Sequence, residues 1–150
     1  MYLAVLVAHS WIRWVALVAG ALTLAALFKP DTPSAARAER TSLVLLIALD
    51  IQMLLGLLLY FVLSPFTTEA LKDMGAAMQN PALRFFAVEH IVTMFGAVIL
   101  VHVGRVLART AKSPEAKRTR LLVCVGFAVV AMLAGIPWPG MAGGRPLFRF

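Results

Sequence analysis

The sequence predicts an all-α membrane protein, a single domain over residues 1–150 in which four helices cross the bilayer as an up-down bundle. Three observations predict this fold. Hydrophobic residues make up 61% of the 150 residues. Charged residues make up only 14%, against about 25% in ordinary soluble domains. The apolar residues also form four long blocks, at about 2–28, 43–63, 83–107 and 121–138, and about 20 mostly apolar residues are enough to cross a bilayer core.

The charged residues between the blocks predict the orientation of the helices. The first and third connections together carry nine lysines and arginines: Lys29, Arg37, Arg40, Arg105, Arg109, Lys112, Lys117, Arg118 and Arg120. The second connection and the C-terminal tail carry only Lys72, Arg84, Arg145 and Arg149. The positive-inside rule therefore places the first and third connections in the cytoplasm and both termini on the outer, periplasmic side of a bacterial inner membrane. Since the net charge of +7 lies in these connections, we exclude nucleic acid as a partner.

Two features of the blocks restrict the interpretation further. The first block has no positive segment before it and contains His9 and Arg13, so we interpret it as a retained helix and not as a signal peptide. The single cysteine, Cys124, lies in the fourth block and has no partner for a disulfide. We expect Cys124 to be a small packing residue.

Ionisable side chains inside the blocks are the candidate functional residues, because charge is costly in hydrocarbon. Among them, His9 in the first helix and His90 in the third lie on helices that run in the same direction. At 1.5 Å per residue, both lie ~10 Å below the outer surface. Two imidazoles at one depth on facing helices suit the two axial positions of a haem iron. The sequence thus predicts one haem b near the outer face, with His9 and His90 as iron ligands.

The two haem propionates would need cationic partners, and arginine pairs with a carboxylate through two parallel hydrogen bonds. The candidates on the outer side are Arg13, Arg84, Arg145 and Arg149. An alternative for Arg13 is a salt bridge to Glu89.

A second polar group is expected nearer the cytoplasmic side, where Asp50 and His102 come to similar depths. His102 is twelve residues after His90, which rotates it ~120° away at 100° per residue, so the two do not share a haem. Asp50 and His102 form a candidate proton or quinone site, and the alternative is a structural hydrogen-bonded pair. Three histidines allow one bis-histidine haem, and a second site with Met53 as ligand stays open.

Three stretches carry a resemblance to a known family. They are His9-Ser10-Trp11-Ile12-Arg13-Trp14, Arg84-Phe85-Phe86-Ala87-Val88-Glu89-His90, and Ile136-Pro137-Trp138-Pro139 followed by Gly144-Arg145-Pro146-Leu147-Phe148. Together and in this order, they resemble small bacterial four-helix membrane proteins labelled cytochrome b or cytochrome b-like. The resemblance implies a b-type cytochrome with His9 and His90 as axial ligands. The chain is also similar in size and topology to b561-type cytochromes, which exchange electrons with quinone, but it has too few histidines for their two-haem pattern.

The function predicted is electron transfer between a quinol or a partner subunit and an outer acceptor, through one haem b. The partners expected are the lipid bilayer, quinone, and redox subunits or further copies of the chain. One rival is an accessory subunit of a larger respiratory or photosynthetic complex. A transporter is disfavoured because the polar residues form two groups at different depths, and not a continuous path. Zinc or di-iron chemistry is disfavoured because no Cys pair, HExxH or carboxylate cluster occurs.

Overall fold

The computed structural model describes residues 1–148, and within that range all the regular structure is helical. The helices are α1 (Tyr2–Leu27), α2 (Thr32–Leu63), α3 (Pro65–Lys72), α4 (Met74–Gln79), α5 (Pro81–Arg109) and α6 (Pro114–Gly135). By length and composition, α1, α2, α5 and α6 are each able to cross a membrane, as in a multi-pass membrane protein. The predicted all-α class with four long apolar helices is confirmed.

Two of the long helices begin well before the apolar blocks that predicted them. Helix α2 starts at Thr32 and not near residue 43, because the Asp31 carboxylate caps it by accepting from the Ser34 amide at 2.8 Å. The Ser34 amide and hydroxyl together hold the pKa of Asp31 below its ordinary value. Helix α6 starts at Pro114 and not near residue 121, and Ser113 caps it. Capping residues and a first-turn proline fix a helix start whatever the hydropathy of that turn.

The connection between the second and third long helices is partly helical, because it contains α3 and α4. Helix α5 follows directly. Asn80 caps this helix, because its side-chain oxygen accepts from the amides of Ala82 and Leu83 at 3.0 and 3.3 Å. Helix α6 ends at Gly135, three residues before Trp138, where the fourth apolar block ends.

Each long helix packs against two others, α1 against α2 and α6, and α5 against α2 and α6. The neighbours are antiparallel, so the short connections 28–31 and 110–113 meet at one end, which we call the loop end. Residue 1 and the tail 137–148 meet at the other, the terminal end. Eight of the fifteen buried residues of the main core are alanines, and the others are larger, Leu45 and Val101 among them. The alanines are Ala16, Ala19, Ala26, Ala38, Ala48, Ala97, Ala108 and Ala128. Large apolar side chains such as Leu54, Val92 and Phe127 point outward. Many small residues inside and large apolar residues outside are the pattern of helices packed in lipid.

Two widened helical turns lie at the terminal end. In Leu59–Leu63 of α2 the Ser64 amide donates to the Leu59 carbonyl, and in Phe85–Glu89 of α5 the His90 amide donates to the Phe85 carbonyl. Both bonds span five residues in place of four, a geometry that is frequent at functional sites. The Tyr60 hydroxyl joins the two turns by donating to the Ala87 carbonyl at 2.8 Å.

Replacing Gly104 with alanine should destabilise the protein. A methyl carbon at this position would lie 2.5 Å from Cβ of Cys124, so α5 and α6 would have to move apart. Overpacking of this kind costs about 1–3 kcal/mol, and we expect a lower midpoint of thermal unfolding in detergent. Gly126→Ala is the matched control, because its new methyl meets nothing within 4 Å. Equal midpoints for the two variants would contradict the close approach of the helices.

Candidate functional site

A cavity lies at the terminal end between α1, α2, α5, α6 and the tail. Most of its lining is apolar, with Leu6, Leu57, Ile91 and Met132 among the walls. Several side chains with polar groups also reach it, among them His9, Arg13, Gln52, Tyr60, His90 and Arg145. An apolar cavity with a few convergent polar groups is the usual form of a cofactor or ligand site.

The two histidines face each other across this cavity. His9 comes from α1 and His90 from α5, immediately after the widened turn of that helix. Their ring centres are 6.3 Å apart and their planes are inclined at 61°. The structure therefore brings together two imidazoles that are far apart in the sequence and lie on helices running in the same direction.

Two prolines at the end of α6 determine the hydrogen bond that holds His90. In a continuous helix the amides of residues 137 and 139 would donate to the carbonyls of Leu133 and Gly135, but both residues are proline and have no N–H. The Trp138 indole donates to the Leu133 carbonyl at 2.8 Å. The Gly135 carbonyl lies 2.7 Å from Nδ1 of His90.

This contact fixes the protonation of His90. A carbonyl oxygen only accepts, so Nδ1 carries the proton and Nε2 keeps its lone pair. In a metal-ligating histidine, a group that accepts a hydrogen bond from the other ring nitrogen orients the ring and raises the basicity of the ligating nitrogen. The free Nε2 lone pair makes His90 suited to coordinate a metal.

His9 is held through its backbone and by the close approach of α2. Its carbonyl accepts from the Gln52 amide nitrogen at 2.9 Å. A methyl carbon at Gly56 would lie 3.3 Å from Cε1 of the His9 ring, so only glycine leaves this space open. Among the described residues, Nδ1 of His9 and the side-chain oxygen of Gln52 are buried without a hydrogen-bond partner. Such atoms cost about 1–3 kcal/mol each, and two of them beside one cavity point to a missing ligand or bound water.

Two of the four candidate arginines reach the cavity. The Arg145 guanidinium lies over the rings of Phe66 and Phe86, at 4.0 and 5.1 Å from their centres. Nη2 of Arg13 donates to the Leu147 carbonyl at 2.6 Å, which ties the tail to α1. The cavity thus has two fixed positive charges at the terminal end, where the tail passes over it.

The other two candidates lie elsewhere. Arg84 does not line the cavity, because it turns outward and pairs with Glu89 at 2.8 Å, with both side chains about half exposed. The salt bridge predicted for Glu89 is therefore formed with Arg84, while Arg13 bonds to the tail. Arg149 lies outside the described residues.

Asp50 and His102 do come together, on the outward side of α2 and α5. Nε2 of His102 is 3.5 Å from the Asp50 carboxylate, and the side chains are 47% and 43% exposed. Nδ1 of His102 lies 3.0 Å from the Val98 carbonyl, so that nitrogen carries a proton. The carboxylate and the imidazole therefore form a pair at the surface of the two helices.

The His9–His90 separation lies in the range of an edge-to-face ring contact, about 4.5–7 Å, and it is also long enough to admit an ion between the rings. With a metal–nitrogen bond of about 2.0 Å and about 1.1 Å from nitrogen to ring centre, two imidazoles on opposite sides of one ion have centres about 6.2 Å apart. The observed value is 6.3 Å. Within residues 1–148 no group of three or more His, Cys, Asp or Glu side chains is placed to hold a metal.

Sequence reasoning missed several residues of this site. Nothing in the sequence pattern selected Tyr60 or Gly56, yet Tyr60 joins the widened turns and Gly56 makes room for His9. The spacing of Pro137 and Pro139 after Leu133 and Gly135 is the signal that was available, since it leaves two carbonyls in need of donors.

Comparisons with known proteins add no assignment. No family model matches the chain, and neither the curated proteins nor the solved structures give a match. The fold and site by themselves define a class: a helical protein of multi-pass membrane type with a paired-imidazole cavity at one end.

Proposed function

We propose that this protein is a b-type cytochrome of the bacterial inner membrane that binds one haem between His9 and His90. The observation that carries the proposal is the 6.3 Å separation of the two imidazole centres across an apolar cavity. The four long helices would form an up-down bundle with the terminal end facing outward, as the charge bias between the connections supports. Haem, when bound, supplies reversible one-electron redox chemistry.

The side chains around the cavity would have distinct roles in holding the group. His90 would be the more basic ligand, because the Gly135 carbonyl accepts its Nδ1 proton. Arg145 and Arg13 would pair with the two propionates, since both line the cavity at the terminal end. The apolar walls would exclude water, which raises the influence of each nearby charge on the reduction potential.

The first prediction is a haem spectrum that depends on both cavity histidines. Protein purified in detergent from cells supplied with haem should show a sharp reduced-minus-oxidised α-band and bind one haem per chain. His9→Ala and His90→Ala should each lose the six-coordinate spectrum, because each removes one iron ligand.

His102→Ala is the matched control for that experiment. It removes a histidine from the same helix as His90 but from outside the cavity, and its spectrum should equal that of the wild type. Absence of a haem band in the wild-type protein would refute the cytochrome, and loss of the band in the control as well would refute the ligand assignment.

The second prediction is that Arg145 influences the haem potential and Arg84 does not. Arg145→Gln should lower the midpoint potential of the haem by tens of millivolts, because removing a nearby positive charge favours the oxidised iron. Arg84→Gln removes the same charge from a surface ion pair with Glu89 and should leave the potential close to the wild-type value. Redox titrations of the three proteins at one ionic strength measure the difference. Equal shifts in the two variants would mean that Arg145 has no specific role.

The Asp50–His102 pair is proposed as the place where a quinol gives up its protons. Both residues lie within long apolar helices and are about half exposed on the outward side. A half-exposed ionisable pair in hydrocarbon is costly, and a quinol hydroxyl would offset that cost by donating to the Nε2 lone pair of neutral His102. Val98, whose carbonyl holds His102, also lines the haem cavity, so the two sites are adjacent through one turn of α5.

The third prediction follows from this arrangement. His102→Phe and Asp50→Asn should slow reduction of the haem by a quinol by about 10²–10⁴-fold, the usual contribution of a positioned proton acceptor. The haem spectrum and midpoint potential should not change. Stopped-flow absorbance in detergent with a short-chain quinol measures the rate, and the exposed variant Phe127→Leu serves as the control. Unchanged rates would leave the pair with a structural role only.

The exposed Asp50–His102 pair also favours a second candidate function, that of an accessory subunit whose partner helix covers it. In that case the chain would be isolated with a partner protein, and Asp50→Asn would release that partner. Stable isolation of the haem-loaded chain alone would exclude this candidate.

A further inference from the structure

A second cavity lies at the loop end, where α1 and α5 finish and α2 and α6 begin. None of its lining residues belongs to the histidine cavity. Five cationic side chains line it, Lys29, Arg105, Arg109, Lys117 and Arg118, against the carboxylates of Asp31, Glu39 and Glu115. Apolar side chains, including Leu27, Ala108 and Leu121, form the rest of its walls. The cavity is therefore amphipathic and has an excess of positive charge.

The fold itself uses two of these cations. Lys117 of α6 pairs with Glu39 of α2 at 3.0 Å. Nε of Arg118 donates to the Leu27 carbonyl, one of the carbonyls left without an intrahelical partner at the end of α1. These two residues have ordinary structural roles in joining neighbouring helices.

The remaining three cations form no ion pair within 4 Å among the described residues, although Asp31 lies near Lys29 and Glu39 lies near Arg105 and Arg109. Arg105 is 8% exposed, and its Nη1 donates to the Glu39 carbonyl and to the Ser42 hydroxyl. Among residues 1–148, no group accepts from its Nε or Nη2. The side chains of Lys29 and Arg109 likewise make no hydrogen bond or ion pair with any described residue. The cavity thus holds a guanidinium with two donors that the fold does not use and two cations without hydrogen bonds, and an anionic ligand would balance their charge.

We propose that the loop-end cavity binds the phosphate group of an anionic phospholipid. Arg105 presents a planar fork of donors that matches phosphate oxygens, and Lys29 and Arg109 add point charges. Leu27 and Leu121 give the cavity apolar walls, which a lipid's hydrocarbon would contact and a free phosphate ion would not. The cavity also lies where apolar helices end, and basic pockets at that depth bind lipid head groups.

The test compares lipid binding by two double variants that remove the same charge. The Lys29→Gln/Arg109→Gln double variant removes the two cations of the cavity whose side chains make no hydrogen bond in the fold, so this variant should fold. Arg37→Gln with Arg40→Gln removes two exposed cations of α2 near the same end that do not line the cavity. Native mass spectrometry of the detergent-solubilised protein, titrated with phosphatidylglycerol or phosphatidylcholine at constant ionic strength, measures retained lipid.

We expect one phosphatidylglycerol to bind the wild type and the Arg37/Arg40 variant, and to bind the Lys29/Arg109 variant roughly thirtyfold more weakly, from about 1 kcal/mol for each of the two cations. Equal binding of the two lipids would overturn the proposal. Equal losses in the two variants would overturn it as well, by showing diffuse attraction to a basic surface. Inorganic phosphate is the third probe, and displacement of the lipid by phosphate at equal concentration would assign the cavity to a soluble anion.

Discussion

The structure depends on one constraint: polar groups between helices in hydrocarbon must be satisfied by the protein, because no water is there to satisfy them. The end of α6 illustrates it. Pro137 and Pro139 leave the carbonyls of Leu133 and Gly135 without backbone donors. The Trp138 indole donates to the first carbonyl and the His90 imidazole to the second. The same constraint that closes the helix thus sets the tautomer of a candidate metal ligand. The widened turns obey it too, since the Tyr60 hydroxyl satisfies the Ala87 carbonyl.

The polar groups at the two ends of the molecule satisfy this constraint in different ways. At the terminal end the polar groups are mostly uncharged and converge on an apolar cavity, where His9 keeps one buried nitrogen without a partner. At the loop end the polar groups are mostly cationic, and several of them cap or cross-link helices, as Arg118 does for α1. The two proposals follow from this difference: a flat apolar cofactor with a polar centre at the first end, and a phosphate group at the second.

Much of the fold was predictable, because hydropathy depends only on residue type and four blocks of sufficient length can be read directly. Helix ends were less so, since the caps at Asp31 and Ser113 extend α2 and α6 through polar turns. For the site, the sequence selected His9 and His90 by depth and Asp50 and His102 by proximity, and both pairs are adjacent in the structure. Arg84 and Arg145 were indistinguishable in sequence. Only the structure shows that Glu89 draws Arg84 outward while Phe66 and Phe86 hold Arg145 over the cavity.

The sequence by itself determined the all-helical class, the four long apolar helices and the identity of the few ionisable residues inside them, because each follows from composition and spacing along the chain. The tertiary structure decided which of those residues meet. Helix rotation and close approach set those contacts, and both depend on side chains from other helices, as with Gly56 against His9 and Gly104 against Cys124. A hydropathy pattern fixes how deep a residue lies along its helix, but the partner helices decide which way it faces.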